Sequence, residues 1–190
     1  EWNPRWENAF TPALCNRIDR NTGGIVIAAK NAETLRIIND KIRDHELTKR
    51  YLCITLGAPR PPAGEVENFL RKDEKKKQVF VFHKPVPGAK TAVTRYKTLQ
   101  RRGELALVEV ELLTGRTHQI RATMADLGCP LLGDGKYGNG EKNRGYGETR
   151  QALYSYQLTF DLPTDAGILN YLRGRTFQVD GVPFREKYFG

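Results

Sequence analysis

The chain has 190 residues, of which 39% are apolar and 28% charged; that is enough for one domain with its own core and excludes the disordered and fibrous classes. Thirty-one Lys and Arg against 22 Asp and Glu leave a formal charge of +9, which favours polyanionic partners, nucleic acid first, although an unspecialised basic surface would give the same total. The longest apolar stretch, Ile25 to Ala29, is too short to cross a bilayer, so no membrane is expected.

The opening EWNPRWENAFTP holds two prolines and no period, so an irregular lead-in is expected. It lacks the basic start and apolar run of a signal peptide. Cys15, Cys53 and Cys129 are scattered without a C-x-x-C pair, and His45, His83 and His118 lack metal-motif spacing. Neither a disulfide framework nor a metal site is expected, and a reducing cytoplasm suits the chain best. The run IVIAA between Gly23-Gly24 and Lys30-Asn31 predicts a strand buried on both faces. A helix capped by Asn31 should follow, with Leu35, Ile38 and Ile42 on one face and an end near Asp44 to Glu46.

From Lys49 to Gly57, KRYLCITLG alternates, setting Leu52, Ile54 and Leu56 on one face and Tyr51, Cys53 and Thr55 on the other. APRPPAG is a proline-rich connection, and RKDEKKK is a charge cluster that reads either as a solvated face or as an RNA-backbone contact. The run VFVF at Val79 to Phe82 follows it. Ala92 to Gln100 and Glu104 to Leu113 predict a hairpin about Arg102-Gly103. A second helix is expected to begin near Thr117, carrying Ile120, Met124 and Leu127 on one face and stopping at Gly128 before Pro130. A Gly-rich loop from Gly133 to Gly147, a strand in QALYSYQLTF and a mixture of turns and short apolar runs complete the chain. The expectation over residues 1–190 is a single α+β domain built on a mixed, mostly antiparallel central sheet with flanking helices.

Three groups of residues could carry chemistry. In Asn16-Arg17-Ile18-Asp19-Arg20-Asn21-Thr22-Gly23-Gly24 a carboxylate stands between two arginines; it is either a nucleophile or base, or a structural ion pair in a turn. In Leu113-Thr114-Gly115-Arg116-Thr117-His118-Gln119-Ile120-Arg121 a strand hands over to a helix N-terminus, where Arg116 and Arg121 could meet a phosphate or a carboxylate, while Thr117 could equally be an ordinary cap and His118 a half-exposed helix residue. In Lys49-Arg50-Tyr51 an aromatic ring beside two cations could stack on a base, or be an edge-strand tyrosine.

The segment NRIDRNTGGIVIAAKN resembles the catalytic-aspartate motif of RluA-type RNA pseudouridine synthases, usually H-R-L-D-R-x-T-S-G followed by apolar residues and a lysine. KRYLCITLG resembles that family's K-x-Y strand, LLTGRTHQIRATMADLGCPLLGDGKYG its G-R-x-H-Q-I-R block, and RQALYSYQLTF the strand that follows. The resemblance implies that Asp19 is the essential aspartate, Tyr51 the tyrosine that stacks on the base, and Arg121 the arginine paired with the aspartate. Arg17, Arg20, Lys49, Arg50, Arg116 and His118 become candidates for RNA contact.

It also implies isomerisation of uridine to pseudouridine with no cofactor, in structured RNA, with large-subunit ribosomal RNA favoured over transfer RNA. A monomer is expected, although no feature of the sequence fixes the oligomeric state. Asn16, Gly23, Thr123 and Tyr154 depart from the pattern, standing where His, Ser, His and His are common. An N-terminal strand and RNA-binding module usually precede the aspartate motif, so the chain is expected to be a fragment or to supply that strand differently. Two competing readings remain: a non-catalytic RNA-binding or ribosome-assembly protein on the same fold, and a hydrolase that breaks the glycosidic bond without rejoining it.

Overall fold

The computed structural model describes residues 10–138 and 140–190, so most of the expected lead-in lies outside the described residues. In chain order the elements are β1 (Ala13–Leu14), β2 (Gly23–Gly24), β3 (Ala28–Ala29), α1 (Ala32–Arg43), β4 (Leu47–Leu56), β5 (Ala63–Asp73), β6 (Gln78–Phe82), β7 (Lys90–Arg102), β8 (Leu105–Leu112), α2 (Gln119–Asp126) and α3 (Gly140–Gly145). Then come β9 (Leu153–Phe160), a 3-10 turn (Gly167–Leu172), β10 (Thr176–Gln178) and α4 (Pro183–Phe189). The main sheet runs β10-β9-β4-β8-β7-β5-β6, antiparallel throughout except where β2 joins β9 in parallel. It is the mixed, mostly antiparallel sheet of an α+β fold, with β1 and β3 pairing separately.

β4 is central because both of its faces are apolar: Tyr51 to Leu56 are all buried. Tyr51 and Cys53 pack with Val108, Val110, Ile120 and Met124 beneath α2. Leu52, Ile54 and Leu56 pack on the other side with Leu105, Leu107 and Val182, against Phe184 and Tyr188 of α4. A side chain such as Ile54, with no exposed surface, contributes about 1.5–3 kcal/mol by leaving water.

α1 begins where Asn31 accepts a hydrogen bond from the Thr34 amide, and Ile37 and Ile38 seat it against Leu158 and Phe160 of β9. The hairpin expected after Ala92 forms as β7 and β8, longer on its first strand.

Two expectations need correction, and one strand is unexpected. IVIAA is no continuous strand: the chain pairs with β9 only at Gly23–Gly24 and with β1 only at Ala28–Ala29, and Val26 is 37% exposed. Gly24, at φ +111°, lies so close to Ser155 that a Cβ there would sit 2.1 Å from its carbonyl oxygen, a placement that a residue with a side chain resists. The helix expected near Thr117 starts two residues later, at Gln119, because His118 adopts φ 52°. β5, set between a proline-rich entry and a charged tail, carries no clear strand signal in the sequence; RKDEKKK closes it into a hairpin with β6.

Candidate active site

The aspartate turn is shaped by its own sequence. The Thr22 amide donates to the Asp19 carbonyl at 3.0 Å, and Asn21 supplies the left-handed φ of 69° that this turn needs, a conformation asparagine tolerates. Gln151, just before β9, donates to the Arg20 carbonyl at 2.5 Å and to the Thr22 hydroxyl at 3.3 Å. The diglycine then lays the chain against β9. Asp19 is thereby fixed beside the strand that neighbours Tyr51, with its side chain 21% exposed.

A cleft of about 210 Å³ opens there, and its lining includes Asp19, Tyr51, Lys49, Arg17, Arg116 and Thr117. Lys49 and Tyr51 are two residues apart on β4 and share its cleft-facing side. Burial, and to a lesser degree the charge of Asp19, push the Tyr51 phenol above its ordinary pKa, so the ring meets a ligand neutral. Burial also lowers the Lys49 ammonium, which disfavours its charged form.

Arg121, on the first turn of α2, approaches Asp19 with Nη1 at 3.6 Å from Oδ2, an ion pair too long for a hydrogen bond. Its nearer partner is Asp134, which accepts from Nε at 2.7 Å and Nη2 at 2.9 Å and is wholly buried. The amides of Lys136 and Tyr137 donate to the same carboxylate at 2.8 and 3.1 Å. Burial alone would raise the Asp134 carboxyl; the Arg121 hydrogen bonds and charge, with those two amides, hold it below the usual carboxylate range. Asp134 thus grips one edge of the guanidinium, Nε and Nη2, and leaves Nη1 for Asp19.

The Tyr137 ring lies 5.3 Å from the guanidinium carbon, a cation–π contact. The Tyr137 hydroxyl accepts from the Val79 amide and meets His118 Nδ1, both at 2.8 Å. The helix start is closed by Gln119 rather than by Thr117. Its buried amide accepts from the Arg116 amide and the Thr114 hydroxyl and donates to Val93 O and the Thr94 hydroxyl.

The structure therefore brings Asp19, Tyr51, Lys49, Arg17 and Arg116 to one cleft and sets Arg121 and His118 behind it. Arg17 donates to the Thr117 hydroxyl at 2.9 Å, joining the aspartate turn to the loop before α2. Arg116 Nε donates to Thr91 O. Arg20 is exposed on the turn.

Arg50 is not in the cleft. Strand alternation turns it to the opposite face, where it pairs with Glu111 at 2.9 Å and bonds Gln157, and Arg95 continues that charge ladder to Glu65. Sequence reasoning attached no role to Asp134, Tyr137, Gln119 or Gln151. The first two lie in a Gly-rich loop without periodicity, and only the fold shows what they hold. Among the described residues no group of three or more His, Cys, Asp or Glu side chains could hold a metal ion, and no helix is long and apolar enough to cross a membrane.

The departures from the family pattern acquire physical partners. A Cβ at Gly23 would stand 2.6 Å from the Tyr154 ring, and these residues are register partners. Asn16 accepts from the Ile27 amide at 2.7 Å, and Thr123 accepts from Asn68 at 3.1 Å inside the core.

Residues 3–126 match the family model for RNA pseudouridylate synthase, and the chain belongs to that family. Ribosomal large subunit pseudouridine synthase D of Borreliella burgdorferi is 33% identical over 156 residues, covering 82% of this chain and 47% of that protein. RNA pseudouridine synthase 2, chloroplastic, of Oryza sativa is 36% identical over 137 residues, covering 70% of this chain and 31% of that protein.

Among solved structures, human RNA pseudouridylate synthase domain containing 4 is similar with a TM-score of 0.67 at 26% identity, covering 80% of this chain and 67% of that one. Human RNA pseudouridylate synthase domain containing 1 shares the fold, with a TM-score of 0.74 at 21% identity over 90% of this chain and 69% of that one. The chain spans less than half the length of these two curated relatives.

Proposed function

We propose that the protein is an RNA pseudouridine synthase that isomerises uridines in structured RNA, large-subunit ribosomal RNA first, with Asp19 as the catalytic carboxylate. The supporting observation is the meeting of residues far apart in the chain: Asp19 and Tyr51 line one cleft, and Arg121 stands 3.6 Å from Asp19. The reaction breaks the bond between ribose C1′ and uracil N1, turns the base and joins C1′ to C5. The C5 proton is lost, N1 gains one, and nothing is oxidised.

Asp19 would attack the sugar or take a sugar proton. Tyr51 would lie against the uracil face and keep the freed base in place while it turns. Arg121, aimed by Asp134, would position the Asp19 carboxylate. Extruding the nucleotide costs a few kcal/mol, which phosphate contacts by Arg17, Lys49 and Arg116 would offset; His118, Arg20 and Arg50 do not line the cleft. A reducing compartment such as the cytoplasm suits the three free thiols.

The test is tritium release from RNA labelled at uracil C5, comparing the intact sequence with Asp19→Ala. Release by the first alone is expected. No release by either would favour a binding protein on the same fold, and free uracil among the products would favour a hydrolase.

A further inference from the structure

Beside the catalytic cleft a second depression of about 380 Å³ runs between the β5–β6 hairpin and the turn before α2, sharing Gly115, Arg116 and Thr117 with the cleft. Its other walls carry Lys72, Lys90 and Glu74, the last paired with Lys72 at 2.8 Å. Building on the pseudouridine synthase reading, we propose that this trough is a separate seat for the RNA backbone, holding phosphates of the strand that flanks the extruded uridine.

Charge distribution carries the first part of the case. Between Arg71 and Lys90 there are seven Lys and Arg against two acids, while the whole chain has 31 against 22. A merely solvated face would mix the signs more evenly. Both acids are already engaged: Asp73 accepts from the Lys75 and Lys76 amides at 2.9 Å, closing the hairpin, and Glu74 pairs with Lys72 at 2.8 Å. The Lys90 ammonium and the terminal nitrogens of Arg116 have no partner among the described residues.

The second part is rigidity. β6 is the edge of the sheet, yet the hairpin is pinned from within, since Lys136 donates to Lys77 O and the Val79 amide donates to the Tyr137 hydroxyl. The cations are therefore held in register with the loop that carries the Arg121 partner, which reduces the ordering that RNA binding would otherwise require. On the outer face of the same hairpin Phe80 is 38% exposed, with Lys76 at 5.6 Å from its ring. Phe80 alternates with Val79, which lines the trough, so its ring faces away, and the choice of RNA rests on the trough's continuity with the cleft through Gly115, Arg116 and Thr117.

The test is equilibrium binding of a fluorescein-labelled, mixed-sequence, 20-nucleotide single-stranded RNA across a KCl series. The double variant Lys72→Ala/Lys90→Ala is compared with wild type and with Lys30→Ala/Lys97→Ala, which removes the same charge from exposed sites outside the trough. Each cation withdrawn from a phosphate lowers the slope of log affinity against log salt by about 0.7 for single strands, so the trough variant should drop by about 0.7 for Lys90 alone and by about 1.4 where phosphate displaces Glu74 from Lys72, with no drop for the control.

Equal slopes for trough variant and wild type, or equal losses in trough variant and control, would overturn the proposal. So would polyglutamate binding as tightly as RNA with the same dependence on Lys72 and Lys90. In the tritium assay the trough variant should raise KM and keep kcat, whereas an unchanged KM would also count against it. Absence of tritium release from the wild type would defeat the isomerase reading and leave the slope comparison intact, so the two failures are distinguishable.

Discussion

Asp134→Asn keeps the side-chain volume and removes one charge-assisted bond from a fully buried group. The oxygen now accepting from the Lys136 and Tyr137 amides and from Arg121 Nη2 can remain an oxygen, while the one 2.7 Å from Nε becomes an NH2 group facing another donor. Breaking a buried pair by altering one partner costs about 3–5 kcal/mol, and because three contacts survive the lower figure applies. For a chain of this size each kcal/mol is worth about 2–4 °C, so Tm should fall by about 6–12 °C at neutral pH.

The pH dependence gives a second check on the same reasoning. A carboxyl whose folded pKa is depressed contributes stability that is fully present above its unfolded value, about 3.9, and is lost as pH falls through the lower folded value. The Tm gap between wild type and Asp134→Asn should stay constant from pH 8 to about pH 5 and shrink below about pH 4. Thermal unfolding followed by circular dichroism over that range measures it. A Tm within about 2 °C of wild type at pH 7, or a gap unchanged in acid, would refute the view that Asp134 anchors Arg121 through charge.

Tyr51→Phe should keep most of the tritium-release rate, because the ring provides the stacking surface. Tyr51→Ala should lower kcat/KM by about 5- to 150-fold, corresponding to about 1–3 kcal/mol of stacking. Gly23→Ser should destabilise by about 1–3 kcal/mol through contact with the Tyr154 ring, and Tyr154→His should relieve most of that loss, a coupling that urea unfolding of both single variants and the double variant would reveal. Because burial depresses the Lys49 ammonium, RNA affinity should decline with rising pH sooner in wild type than in Lys49→Arg, whose guanidinium stays charged; parallel profiles by anisotropy would count against Lys49 as an RNA contact.

The site was legible in the sequence where local rules act alone. Alternation along β4 placed Tyr51 apart from Leu52 and Ile54, and an asparagine before an apolar helical pattern marked the start of α1. The same alternation, applied one residue further, separates Arg50 from Lys49, which grouping the three residues of Lys49-Arg50-Tyr51 had concealed. What stayed hidden depends on distant partners. IVIAA has strand composition, but its backbone is bent by the approach of Gly24 to Ser155, more than a hundred residues later in the chain. Asp134 lies between glycines in a block whose sequence names a turn, and no spacing indicates that its carboxylate meets a guanidinium on α2.

Gln119 uses its entire amide: both donors reach β7, and its oxygen holds the Thr114–Arg116 turn. The turn lining the cleft is therefore fastened to the interior of the sheet rather than hung from a surface loop. Local opening there cannot proceed independently of β7, and amide hydrogen exchange at Arg116 should be as slow as in the strand it is tied to. An RNA ligand entering this cleft would meet a wall already set, which lowers the ordering that binding requires.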